Sequence, residues 1–205
     1  ISLILDVKAN SFAKDRNKPF VFSENGPSHL IMQKTHRKGN ALLLLIEACA
    51  MEEDLGVSHK ILTTLLHSEF FEELRTKQHT AYKLHTWQEI MQQKICHCFA
   101  LQSSTHTPLD LLNRVEAFLH ELAQSGEEIL TRERFEVIRE SLISSTQKQK
   151  NAANTNGDLA WLSQNVERLR SLRYEHVIQE MRSVFSLENQ KRIAILVEGS
   201  SQPQS

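Results

Sequence analysis

The chain carries ten histidines: His29, His36, His59, His67, His79, His85, His97, His106, His120 and His176. Imidazole is the commonest zinc-ligating side chain and the usual acid–base group near neutral pH. Spacing removes the helical zinc motifs. No two of these histidines lie four apart, so neither H-x-x-x-H nor the inverted H-x-x-E-H occurs. If His79 and His85 share a strand face, about 20 Å of extended chain separates them, too far for one ion. Cys96-His97-Cys98 is denser, but strand parity sends the imidazole to one face and both thiols to the other. These three therefore read as two buried cysteines and a histidine held by a protein partner, because a closed zinc site needs four converging ligands. No residue of this chain is assigned to a metal.

Nucleophilic chemistry has no better footing, since G-x-S-x-G is absent and no serine is tied to a particular histidine and acid. A histidine-based acid–base enzyme would need two or more of the ten to converge in one pocket. Glu69, Glu72 and Glu73 crowd one helix end as a solvated face. Lys148, Lys150, Arg168, Arg170 and Arg173 lack the interleaved aromatics of a nucleic-acid groove.

Composition narrows the classes further. The 205 residues hold 24 Lys and Arg against 25 Asp and Glu, a formal charge of −1 that gives no footprint for nucleic acid or an anionic membrane. Six Gly and four Pro are few for a many-turned all-β fold or a phosphate-cradling loop. The longest apolar run, Ala41 to Ile46, is far short of the ~18 residues that span a bilayer. Residues 1–8 are not followed by a small-residue cleavage site, so no signal peptide is expected. The chain begins at Ile1, which reads as a processed chain or a piece of a longer one. Three cysteines, Cys49, Cys96 and Cys98, all lie in apolar runs and read as buried thiols. They favour a reducing cytosol slightly, with a periplasmic location the alternative.

The elements that would position any site follow from hydrophobic period and caps. His29 to Lys34 reads as a strand, Lys38-Gly39-Asn40 as a turn, and Ala41 to Cys49 as a central strand buried on both faces, with a helix the alternative because periodicity cannot separate the two in a continuous run. Ser58 can cap a helix to about Leu74 striped by Ile61, Leu62, Leu65 and Phe70. Thr80 to Trp87 and Lys94 to Ser103 suit two strands. Thr107, with Pro108 and Asp110 behind it, opens a helix striped by Leu111, Val115, Phe118, Leu119 and Leu122, which Gly126 should stop. Thr131 caps the next, with Leu130 and Phe135 spaced as a hydrophobic staple. Asp158 caps another, and a last helix runs from Tyr174 to Phe185. Arg192 to Val197 closes the chain as a strand, and Gly199 to Ser205 should fray. This segregated order predicts an α+β fold, a mostly antiparallel sheet covered on one face by helices, with a single core. Its parts would be a lead-in segment or linker with an edge strand over 1–27, one domain over 28–200 and a disordered tail over 201–205.

One constellation is specific. Phe71-Glu72-Glu73-Leu74-Arg75-Thr76-Lys77-Gln78-His79-Thr80-Ala81-Tyr82 ends a helix and enters a strand. Phe99-Ala100-Leu101-Gln102-Ser103 ends the next strand, and Arg114-Val115-Glu116-Ala117-Phe118-Leu119 lies on the helix after it. In order and spacing these resemble the last domain of the pitrilysin/insulysin (insulinase) zinc metalloendopeptidases, whose pattern is F-x-x-L-R-T-x-x-Q-L-G-Y, then Q-S, then R-V-E-A-F. The likeness covers about 28–200.

That resemblance implies a fourth, C-terminal domain of a chain folded into two bowls around an unfolded peptide or small protein. It implies that zinc and H-x-x-E-H belong to an upstream, N-terminal half, with no cofactor in this chain, so that this chain alone should be inactive. It further implies that Arg75 binds substrate and that Tyr82 is catalytic, meeting the substrate carbonyl where oxyanion charge develops. A phenol hydroxyl and a guanidinium suit those tasks as directed donors. Relatives without the zinc motif imply the alternative of a non-catalytic structural or partner-binding subunit. The family's Q-L-G before the tyrosine is His79-Thr80-Ala81 here, which alters how a peptide backbone can approach.

Overall fold

The apolar strand predicted over 41–49 sits at the centre of the sheet, and the rest of the fold is arranged to cover it. The computed structural model describes residues 28–50, 53–152 and 156–200; the lead-in over 1–27 and the tail over 201–205 lie outside the described residues. In chain order the elements are β1 (His29–Lys34), β2 (Asn40–Ala50), α1 (Glu53–Phe71) continued by a π-helical turn (Glu72–Lys77), β3 (Lys83–Met91) and β4 (Lys94–Ser103). There follow α2 (Pro108–Gln124), the single turn α3 (Gly126–Ile129), α4 (Arg132–Ala152), α5 (Asn156–Ser171), α6 (Tyr174–Phe185) and β5 (Arg192–Glu198).

The sheet order is β1-β5-β2-β4-β3, antiparallel except for the β1–β5 pair. Leu42, Leu44 and Ile46 of β2, Phe99 and Leu101 of β4, and Ala194 and Leu196 of β5 face the helices, whose apolar stripes complete the main core. The alternate residues, Ala41, Leu43 and Leu45 with Cys96, Cys98, Ile193 and Ile195, form a second buried cluster on the opposite face. The α+β class, the mostly antiparallel sheet and its helical cover are as predicted. The single core is not: strands apolar on both faces create two clusters.

Several boundaries moved. Helix α1 starts at Glu53, so Ser58 lies inside it, fully buried, and does not cap it; Gly56 is tolerated within the helix. Strand β3 starts at Lys83 and runs to Met91, and the Gln92-Gln93 turn that closes it has two positive φ values without the Asn-Gly signature that would have revealed it. His79 is therefore outside the strand. Thr107 caps α2 as read, its hydroxyl accepting from the Asp110 N–H, and Thr131 accepts from the Arg134 N–H. Gly126 opens α3 rather than stopping α2, and its missing side chain makes room for the Met181 tip. Helix α5 begins at Asn156, before Asp158. Gly199 and Ser200 are tied down, donating their N–H groups to Asn40 Oδ1 and Arg37 O.

His97 is partnered as expected. From β4 its Nε2 lies 3.0 Å from His59 Nδ1 on α1, and His59 Nε2 lies 3.3 Å from Cys49 Sγ and 3.6 Å from Glu180 Oε2 on α6. His97 Nδ1 is buried without a partner. Burial, and then the neighbouring His59, push the His97 pKa down to about 3. The folded protein thus keeps this ring neutral while the unfolded chain protonates it below about 6.5, so its linkage lowers stability as pH falls from about 6.5 toward 3. Urea unfolding at pH 6 and pH 4 should show His97→Leu losing about 2 kcal/mol less over that interval than the parent sequence. Identical pH slopes would contradict it.

Candidate functional site

Helix α1 does not end cleanly at Phe71. It widens into the π-helical turn, in which the Gln78 N–H donates to Glu73 O at 3.0 Å, and the Thr80 N–H then reaches back to Leu74 O at 2.8 Å. His79, with φ +50°, takes the left-handed position that lets the chain reverse. Phe70 and Leu74 are fully buried and pin the turn to the core. Arg75 points outward, its guanidinium 4.9 Å over the Phe71 ring. Tyr82 follows just before β3, its N–H bonded to Gln102 O at 3.0 Å and its side chain 47% exposed.

The phenol leans toward the β1–β2 turn. A Cβ placed on Gly39 (φ +89°) would lie 3.4 Å from the Tyr82 hydroxyl and 3.3 Å from Ser103 O. Glycine there suits the left-handed turn and the close approach of Ser103 O. Arg75 rests on Phe71 and Tyr82 near the Gly39 turn, so the chain presents them separately, near the sheet end where β3 begins and β4 finishes. Neither side chain makes a hydrogen bond or ion pair among the described residues. Both are polar donors open to a ligand.

A polar bracket fixes the segment between them. Gln78 Nε2 donates to Glu73 Oε1 at 3.0 Å, and Gln78 Oε1 accepts from Arg114 Nη1 at 3.1 Å and from Thr80 Oγ1 at 3.3 Å. Arg114 Nε in turn donates to Asp110 Oδ2 at 3.0 Å on the first turn of α2. The Gln78 hydrogen bond, and then Lys77, hold the Glu73 carboxyl below its usual range. The Arg114-to-Leu119 run thus has structural employment. Arg114 braces the turn, Glu116 pairs with Arg192 at the start of β5, and Phe118 packs 5.7 Å from Phe70 in the core. Sequence reading missed Gln78, because a polar residue at a helix end gives no signal of what it will bond.

Other groupings resolve into structure. Ser103, His106 and Asp110 do come together, but Ser103 Oγ is almost fully buried and accepts the N–H groups of Thr105 and His106, as a serine turn does. Its 3.3 Å contact is with His106 Nδ1, and Asp110 stands 3.8 Å from Nε2. His59 and His97 converge in the core rather than in a pocket. Glu69 pairs with Arg134, and Glu73 with Lys77 at 3.1 Å. Among the described residues no group of three or more His, Cys, Asp and Glu could hold a metal ion. His79→Gly should raise stability by about 0.5–1 kcal/mol, measured as a higher urea midpoint, by relieving the left-handed backbone. A lower midpoint would show that the imidazole outweighs that strain.

Residues 61–161 match the family model described as PQQ synthase PqqF-like, C-terminal lobe domain 4. No curated protein matches the sequence. Among solved structures, pitrilysin superposes with TM-score 0.66 at 16% identity, covering 87% of this chain and 20% of pitrilysin. An inactive peptidase domain from Pseudomonas fluorescens gives 0.65 at 14% identity, over 92% of this chain and 47% of that one. The periplasmic protease PqqL from Escherichia coli gives 0.65 at 9% identity, over 90% and 22%. The chain thus spans between a fifth and a half of the length of these neighbours, and at such identities the likeness is one of fold. The family match over 61–161 and the shared fold agree with the resemblance of this chain to a C-terminal domain of the pitrilysin/insulysin peptidases.

Proposed function

We propose that residues 28–200 are the substrate-side domain of a zinc metalloendopeptidase that degrades peptides and small unfolded proteins in a closed chamber. In this reading the zinc, the H-x-x-E-H glutamate and the histidines lie in an N-terminal half of the same polypeptide. Arg75 contacts the substrate backbone, and Tyr82 donates to the carbonyl oxygen as negative charge develops there. The observation that carries the reading is the pair itself. A guanidinium and a phenol, seven residues apart in a family-type motif, both stand exposed and unbonded among the described residues, on a segment held by the Gln78–Arg114 bracket. Preorganisation of that kind lets a donor stabilise developing charge without first being reoriented.

The second reading, a non-catalytic structural or partner-binding subunit, draws support from the Pseudomonas fluorescens neighbour, which is described as an inactive domain. Zinc content and an H-x-x-E-H motif in the longer polypeptide separate the two.

In that polypeptide, Tyr82→Phe should lower kcat/KM about 100-fold or more, with the thermal midpoint within a degree or two of the parent, since one oxyanion donor is lost and an exposed hydroxyl is all that is removed. Wild-type kinetics in Tyr82→Phe would take Tyr82 out of the mechanism. Purified residues 1–205 should hold no stoichiometric zinc by atomic absorption and cleave no peptide; chelator-sensitive cleavage by this chain alone would refute the division of labour.

A further inference from the structure

We infer that the outer edge of β3 is a docking rail for an extended peptide, which adds to the sheet as a further strand and continues past Arg75 and Tyr82. This deepens the substrate-side reading and rests on it for the identity of the occupant. Strand β3 has β4 on one side and, among the described residues, no strand on the other. In an antiparallel pair, alternate N–H and C=O groups of an edge strand face outward. The register with β4 is unbroken from Lys83↔Gln102 to Met91↔Lys94, so the edge offers nine residues of regular ladder, about 30 Å long. Soluble proteins usually blunt such edges with proline, a bulge or a short strand. Strand β3 has none of these and carries Lys83 and Glu89 as its only charges, whereas β1, the opposite edge among the described residues, is six residues long.

A groove of about 590 Å³ runs beside it, lined by Thr86 to Ile90 of β3 together with Lys60, Thr63 and Thr64 of α1. Consecutive strand residues point to opposite faces, so a groove touching five in succession follows the backbone edge itself. In its wall Thr86 Oγ1 is buried, on a residue 4% exposed, and has no hydrogen-bond partner. An orphaned buried hydroxyl at such a place marks a bond left for a ligand to complete. The strand starts one residue after Tyr82, so a chain paired along β3 runs at its Lys83 end toward the phenol and the turn that bears Arg75. Main-chain pairing with a few side-chain pockets selects an unstructured peptide by its extended form rather than by one sequence.

The test uses the full 205-residue chain and a fluorescein-labelled decapeptide of alternating Thr and Val with a lysine at each end. A second peptide of the same sequence is N-methylated at every other residue. Amide hydrogen exchange should slow at alternate positions within 83–91 when the first peptide is added. The N-methylated peptide should bind at least about tenfold more weakly, having lost several main-chain bonds. Thr86→Val should weaken binding severalfold while its thermal midpoint stays level or rises, because the variant removes an unpaired hydroxyl. Equal binding of the two peptides, or slowed exchange confined to regions outside 83–91, overturns the proposal. Self-association of the chain that protects β3 and excludes the peptide overturns it in favour of a second copy. Protection of β3 with an affinity indifferent to Arg75→Ala and Tyr82→Phe keeps the edge site and removes its link to those residues. Loss of turnover in Tyr82→Phe of the longer polypeptide, with β3 unprotected, does the reverse.

Discussion

Burial of β2 on both faces is the constraint from which the fold follows. An eleven-residue strand whose middle is continuous apolar side chain cannot sit at an edge or face water on either side. It must have strands beside it, and β4 and β5 supply them, both antiparallel. It must also have cover above, which the stripes of α1, α2 and α6 provide. Because β5 comes from the far end of the described chain, β2 cannot be completed until nearly all of the domain has been assembled. The sheet's non-local pairing and its helical cover are therefore one cooperative event rather than two.

The candidate site inherits its rigidity from that core. Phe70 and Leu74 anchor the end of α1 in the same cluster as β2, and the chain leaves the helix through a π-helical turn and a left-handed residue. A helix widened in this way presents Arg75 on its outer side while Leu74 stays buried. The Gln78 amide then joins the turn to α2 by accepting from Arg114 while donating to Glu73. Arg75 and Tyr82 flank that bracket, so the two exposed donors sit on backbone whose neighbours are bonded or buried. The family motif is accordingly of two kinds. Most of its residues hold the frame, and two of them are left over from framing.

Much of this was legible in the sequence where a local rule sufficed. Strand β4, helix α6, the Thr107 and Thr131 caps and the opposite facing of His97 from its two cysteines all rest on period and capping, which need no distant partner. Illegible features depended on tolerance instead. Gly56 inside α1 and the two glutamines with positive φ after β3 break local preference and are held by surrounding structure. The site divides in the same way. Arg75 and Tyr82 could be singled out because spacing resembles a family pattern, while Gln78 could not, since its importance lies in the bond it accepts from Arg114 on α2, far along the chain.

By itself the sequence determined the α+β class, the absence of helical zinc motifs and the motif likeness that singles out Arg75 and Tyr82, because each depends on residue type and short spacing. Only the tertiary structure decided the order β1-β5-β2-β4-β3, the second buried cluster, the meeting of His59 with His97 and the regular outer edge of β3. Those depend on which strands lie side by side. Pairing between segments as far apart as β2 and β5 is chosen by the whole apolar surface to be buried at once, and no stretch of chain carries that information alone.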